Sequence, residues 1–197
     1  MEDGFRWQRN IVLKAYARPN KFCRGGMEED MVEIRNALPS DAEKILEYCK
    51  LIGGESDNLT FGPEGVPFSV EAEKEYLETL LHSDRQLYLL AVESGKIVGS
   101  ASFAGQVKPR LAHRGELSIS VRKEMWGKHI GTRLMEEIIR FAKNIDGLEI
   151  LSLEVRSDNA RAIALYKKFG FETIGTFPGF MKINGQDISC DIMMLRL

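Results

Sequence analysis

Apolar residues recur along this chain with two periods, and the switches between them divide it into elements. Met31–Ala37 alternates in the manner of a strand. Pro39, Ser40 and Asp41 then open a helix running through about Leu51, with a proline and small polar residues where a helix start accepts them. Gly53, Gly54, Gly62, Pro63, Gly65 and Pro67 break residues 53–68 into a long loop of the kind that often carries function. Ser69 caps the next helix, and acids from Glu71 to Glu75 suit the dipole at its start. Gln86–Val92 reads as a strand, Ser94–Gly95 as a turn, and Lys96–Phe103 as the returning arm of a hairpin. After a loop around Pro109, Glu116–Val121 alternates strictly. Glu116, Ser118 and Ser120 face one way, and Leu117, Ile119 and Val121 the other.

A helix follows Gly131, its apolar positions Leu134, Met135, Ile138, Ile139 and Ala142 recurring at helical spacing. Glu149–Val155 is a further strand. Asp158-Asn159 caps a helix with Ala162, Ile163, Tyr166 and Phe169 on one side, and Gly170 stops it. Phe171–Ile183 and Gln186–Leu197 form a last hairpin about Asn184-Gly185, a strong hairpin signal. The order βααββ then βαβαββ predicts an α/β protein, with seven strands in a mixed sheet and four helices on its faces.

A chain of 197 residues suits one domain with an appendage. A net charge of -2 argues against a general pull toward nucleic acid or anionic lipid. No apolar run approaches the ~18 residues that a membrane span needs. Cys23, Cys49 and Cys190 are widely spaced, without a CxxC, so neither a disulfide framework nor a zinc site is suggested and a reducing cytoplasm fits. His82, His113 and His129 do not fall at metal-ligand spacing. Residues 1–30 differ from the rest: Arg6, Arg9, Lys14, Arg18, Lys21 and Arg24 stand against Glu2 and Asp3, with no apolar h-region. They read as a flexible extension before a domain at 31–197, and Met27 and Met31 are each an alternative start.

Two stretches carry candidate chemistry. In the first, Glu116–Val121 leads into Trp126-Gly127-Lys128-His129-Ile130-Gly131 and then a helix. Amides at a helix start have no partners inside the helix, and a glycine-bearing turn lets several of them point at one anion. A phosphate or pyrophosphate is the natural ligand, although such a turn often does no more than reverse the chain. In the second stretch stand Leu153-Glu154-Val155, Asn159-Ala160-Arg161-Ala162 and Leu165-Tyr166-Lys167-Lys168-Phe169-Gly170-Phe171. This second stretch resembles the second signature of the GNAT superfamily of acetyltransferases. Val121 to Gly131 resembles that superfamily's acetyl-CoA motif, at the correct distance. Glu116-Leu117 and Asn184-Gly185 look like the branch that acetylates protein N-termini and polyamines. The resemblance covers roughly Met31 to Leu197.

The resemblance implies an α/β (α+β) fold. Its mixed, mostly antiparallel seven-stranded sheet would have a central parallel pair splayed for the cofactor, with helices on both faces. It implies acetyl-CoA as cosubstrate and no metal. Ile119 and Val121, with Ser120 between them, would pair with the pantetheine arm as an added strand does. Amides of Gly127, Lys128, His129, Ile130, Gly131 and Thr132 would hold the pyrophosphate. Asn159 would hydrogen-bond near the pantetheine. Tyr166 would sit by the thioester sulfur and protonate the leaving thiolate, whose ordinary pKa is ~8.5. Trp126 would stack on the cofactor or cover the core. The chain departs from the family pattern Arg/Gln-x-x-Gly-x-Gly/Ala: Trp126, His129 and Gly131 stand at the anchors and only the last matches. His129 still has a backbone N–H to donate.

Transfer to an amine needs a neutral nucleophile, and alkyl amines have a pKa near ~10, so a base must take a proton. A backbone N–H of the Glu116–Val121 strand would serve the oxyanion. Glu116 is the candidate base, with an exposed carboxylate paired to Arg114 or a lysine as the competing reading. Tyr166 and Asn159 have ordinary readings as core and N-cap. Cys190 reads as a buried strand residue, not a nucleophile. Loop 53–68 and the acidic helix Glu71–Glu78 would flank the acceptor, an acidity that would suit a polyamine. The expected partners are acetyl-CoA and an amine, with no nucleic acid and no membrane, and the terminal hairpin could pair across a homodimer. A non-catalytic acyl-CoA sensor on the same fold is the alternative. A phosphoryl-transfer protein is disfavoured, because the turn lacks Gly-Lys-Ser/Thr.

Overall fold

The computed structural model describes residues 32–197. The extension expected over 1–30, with Cys23 and Met27, and the Met31 start of the first strand lie outside the described residues. The seven strands are β1 (Glu33–Asn36), β2 (Gln86–Glu93), β3 (Lys96–Gly105), β4 (Arg114–Val121), β5 (Ile150–Arg156), β6 (Glu172–Ile183) and β7 (Gln186–Arg196). They form one sheet in the order β1-β2-β3-β4-β5-β7-β6. Only the central pair β4–β5 is parallel; the other five pairings are antiparallel. The order of elements and the mixed sheet follow the sequence reading.

Period-2 alternation sends side chains to two cores, one on each sheet face. From β2, Leu87, Leu89 and Ala91 join one buried cluster, while Leu90 joins the other. The first core packs under α3 (Ile130–Lys143) and α4 (Ala160–Lys168), with Leu134, Met135 and Ile138 wholly buried. The second packs under α1 (Ala42–Glu55) and α2 (Val70–Leu81), with Ile45, Tyr48, Leu77 and Leu80 buried. Helices therefore cover both faces. Ser69 caps α2, its hydroxyl accepting from the Ala72 amide at 3.1 Å.

The first helix runs further than expected. α1 continues to Glu55 through Gly53 and Gly54, so the loop begins at Ser56 and not at Gly53. The cost of glycine in a helix, about 1 kcal/mol, is accepted because of a close approach. A Cβ on Gly53 would lie 2.0 Å from the Gly62 carbonyl oxygen. The glycine lets the returning loop lie directly on the helix. Strand β4 also starts earlier than the alternation suggested, because Arg114 and Gly115 pair with Ile150 and Leu151. At the other edge β6 is the outer strand, and Ile174 and Phe177 are exposed on it.

Candidate active site

The sheet opens at its centre. Parallel pairing between β4 and β5 covers Arg114, Gly115 and Glu116 against Ile150, Leu151 and Ser152, and stops there. Beyond that point the strands diverge, leaving the β5-facing backbone groups of Leu117–Val121 without a strand partner. β4 keeps its pairing to β3 through Val121, and β5 keeps its pairing to β7 through Arg156. The wedge belongs to a cavity of about 1040 Å³ lined by Leu117–Val121 on one side and Glu154–Arg156 on the other. That is at the upper end of the roughly 300–1,000 Å³ usual for ligand sites.

At one end of the cavity lies the turn before α3. Gly127 and His129 both have positive φ, 86° and 60°. The first amide of α3 with a partner is Arg133, which donates to the His129 carbonyl at 3.1 Å. The amides of Ile130, Gly131 and Thr132 ahead of it have no intrahelical acceptor, and no side chain caps the helix. Nothing lies within 4 Å of a Cβ placed on Gly127. Unpaired donors, the positive end of a dipole and open space fit the pyrophosphate of acetyl-CoA. The Trp126 indole N–H donates to the Val121 carbonyl at 2.8 Å, and the Arg161 guanidinium lies 4.6 Å from the Trp126 ring centroid. One lone pair of the Val121 carbonyl is therefore engaged inside the chain.

The expected site residues come together with two exceptions. Ile119, Ser120, Val121, Trp126, Gly127, His129, Ile130, Gly131, Thr132, Asn159 and Tyr166 all line this one cavity. Lys128 does not: its ammonium turns toward Glu93, 3.8 Å away, and its amide, expected to face the pyrophosphate, donates instead to the Met125 carbonyl at 3.4 Å. Glu116 does not line the cavity either. It is exposed at the last paired position before the wedge opens, with the Gln106 amide 3.4 Å away and, among the described residues, no ion pair to Arg114 or a lysine. Asn159 caps α4, its Oδ1 accepting from the Ala162 amide at 3.2 Å, while its Nδ2 is left to donate. Tyr166 is 6% exposed and packs near the Phe171 ring; burial pushes its hydroxyl up to about 12. Cys190 is buried on the cavity wall and burial pushes its thiol up; Cys49 is pushed up to about 11 for the same reason. Neither is an activated nucleophile.

The other half of the cavity contains residues that the motifs did not identify. Loop 56–69 contributes Phe61 and Phe68, α2 contributes Glu73 and Tyr76, and α1 contributes Tyr48. Its floor is a hydroxyl ladder on β3 and β4: Ser102 to Ser118 at 2.8 Å and Ser100 to Ser120 at 3.0 Å, with the Tyr48 hydroxyl 2.9 Å from Ser120. Glu73 carried a sequence signal. It precedes Leu77 by one helical turn and Leu80 by two, which puts a carboxylate on the apolar stripe. Among the described residues no group of three or more His, Cys, Asp or Glu could hold a metal, and no helix is long and apolar enough to cross a membrane.

Comparison with known proteins agrees with this geometry. Residues 56–171 match the model of the Acetyltransferase (GNAT) family. An L-methionine sulfoximine/L-methionine sulfone acetyltransferase of Pseudomonas paraeruginosa is 33% identical over 83% of this chain and 94% of its own. The N-alpha-acetyltransferase RimI of Mycobacterium tuberculosis is 31% identical over 54% of this chain and 65% of its own length, so the match spans just under two thirds of that relative. The crystal structure of a GNAT-family acetyltransferase from Streptococcus pneumoniae superposes with a TM-score of 0.81, at 30% identity, over 85% of this chain and 100% of that one. The splayed parallel pair, the left-handed turn and these likenesses agree: the chain belongs to the GNAT family of acetyltransferases, enzymes that use acetyl-CoA.

Proposed function

We propose that the chain transfers the acetyl group of acetyl-CoA to a primary amine by direct attack within a ternary complex. One observation carries this reading. A single cavity runs from the unpaired amides of Ile130–Thr132, past Tyr166 and the wedge, to a wall built by loop 56–69 and α2. It has room for coenzyme at one end and acceptor at the other, so no covalent acetyl-enzyme stage is needed, and neither cavity thiol is activated to form one.

In the reaction the neutral amine nitrogen attacks the thioester carbonyl carbon. A C–N bond forms, the C–S bond breaks, and the sulfur leaves as thiolate. The Tyr166 hydroxyl, which has no hydrogen-bond partner among the described residues, donates its proton toward that sulfur. Unpartnered β4 amides between Leu117 and Val121 supply the hydrogen bond for charge on the carbonyl oxygen. The amine's surplus proton leaves through water to Glu116, because that carboxylate stands at the apex of the wedge and outside the cavity. The acceptor is a small amine or a peptide N-terminus, a range supported by relatives named for an amino-acid analogue and for N-alpha-acetylation.

His129 in place of glycine is what favours the second reading, an acyl-CoA sensor without turnover. Its left-handed backbone keeps the turn in the shape that a glycine gives, and this supports the enzyme. A screen of thiol release from acetyl-CoA over amino acids, polyamines, aminoglycosides and peptide N-termini decides between the two. The enzyme releases thiol with at least one class; coenzyme binding with no release on any of them makes the chain a sensor.

A further inference from the structure

We infer that Glu73 receives the positively charged nitrogen of the acceptor, and that the cavity therefore takes alkylammonium acceptors with no neighbouring carboxylate. The inference rests on the acetyl-transfer reading of the cavity. Glu73 is 6% exposed, lines the acceptor half, and has neither a side-chain hydrogen bond nor an ion pair among the described residues. A carboxylate held largely out of bulk water on a cavity wall, its oxygens facing the cavity without a partner, is unfavourable, and folds retain one where a ligand supplies the missing charge. Its titratable neighbours, Cys49 on α1, Tyr88 on β2 and Tyr76 on its own helix, are neutral at physiological pH, and burial pushes all three up. Burial raises the Glu73 carboxyl as well.

The rest of this half suits the same ligand. Phe61, Phe68 and Tyr76 provide apolar walls with aromatic faces, which attract ammonium groups. The serine ladder offers neutral hydroxyls. Among the described residues, neither arginine on the cavity wall is placed to hold an acceptor's carboxylate. Arg156 grips both Asp158 oxygens at 2.9 and 2.6 Å and the Asp57 carbonyl at 3.0 Å. Arg161 lies over Trp126 beside the coenzyme turn. Asp57 and Glu154, exposed on the wall along with the Arg156-paired Asp158, add further negative charge. A free amino acid would bring its carboxylate into this field; its decarboxylated counterpart would not.

The test compares L-methionine, 3-(methylsulfanyl)propan-1-amine and 1,4-diaminobutane as acceptors of the full-length wild type and of Glu73→Gln. The wild type uses the two amines at least tenfold better in kcat/KM than L-methionine. Glu73→Gln raises their KM at least tenfold, leaves kcat within threefold and the KM for acetyl-CoA unchanged, and Glu73→Asp restores part of the loss. A larger loss for the diamine than for the monoamine places its second ammonium at Glu73; equal losses place the reacting one there. Unchanged amine KM in Glu73→Gln, or methionine used as well as its amine, overturns the inference. Calorimetric titration of the same amines into coenzyme A-saturated protein gives a second readout independent of turnover. Binding lost in Glu73→Gln supports the carboxylate's role even if acetyl transfer fails, and binding unaffected by the substitution overturns it.

Discussion

Burial sets what Tyr166 can do. With its hydroxyl pushed up to about 12, the phenol keeps its proton at neutral pH and can act only as a donor, not as a base. The same dry surroundings favour the thiol form of a leaving sulfur, so donor and acceptor stay matched. Tyr166→Phe should lower kcat on the order of 10²-fold and leave acetyl-CoA affinity nearly intact; unchanged kcat removes the donor role. Glu116→Gln should flatten the acidic limb of the kcat/KM profile, and an unaltered limb passes the base role to another group. His129 shows what a single residue reveals and what it hides. Its sequence position announces a departure from the family's glycine. Its backbone, at φ 60°, shows why the family uses glycine there, because left-handed geometry costs most residues about 1–2 kcal/mol. Histidine is among the residue types that occupy this region more readily.

At the scale of elements, local chemistry fixed the helix starts and tertiary contact fixed some of the ends. Ser69 and Asn159 were legible as caps because capping is a short-range interaction of side chain with backbone. The end of α1 was not legible, because the reason for Gly53 is a carbonyl nine residues away in sequence and 2.0 Å from where its Cβ would stand. The turn leading into α1 is tied down by Asp41, which does not cap the helix itself but accepts from both Arg35 terminal nitrogens at 2.6 and 2.8 Å and from the Leu38 amide at 2.9 Å. The Arg35 hydrogen bonds, with the Leu38 amide helping, hold its carboxyl below the ordinary 3.8. That stabilisation is present above pH 3.8 and is lost as pH falls through the lower folded value. Asp41→Asn should cost about 2 kcal/mol at neutral pH. Melting of the variant should depend less on pH below about 4 than melting of the wild type. Parallel acid limbs in the two proteins contradict the assignment.

For the whole molecule, two cores clamp a sheet that is open at its middle. Of the coenzyme-binding residues that the motif pair led one to expect, all but Lys128 line the one cavity. The other half was legible only as segments, loop 53–68 and the acidic helix Glu71–Glu78; its individual residues Glu73, Phe61, Phe68 and the serine ladder come from four separate segments that meet only in the fold. Where β4 and β5 stop pairing is a property of the sheet, and Glu116 falls outside the cavity because pairing persists through it. Whether the wedge and the turn beside it hold the coenzyme is decided by calorimetric titration of acetyl-CoA into the wild-type protein. One-to-one binding with a Kd between about 1 μM and 1 mM is expected. No heat of binding at several millimolar acetyl-CoA contradicts it.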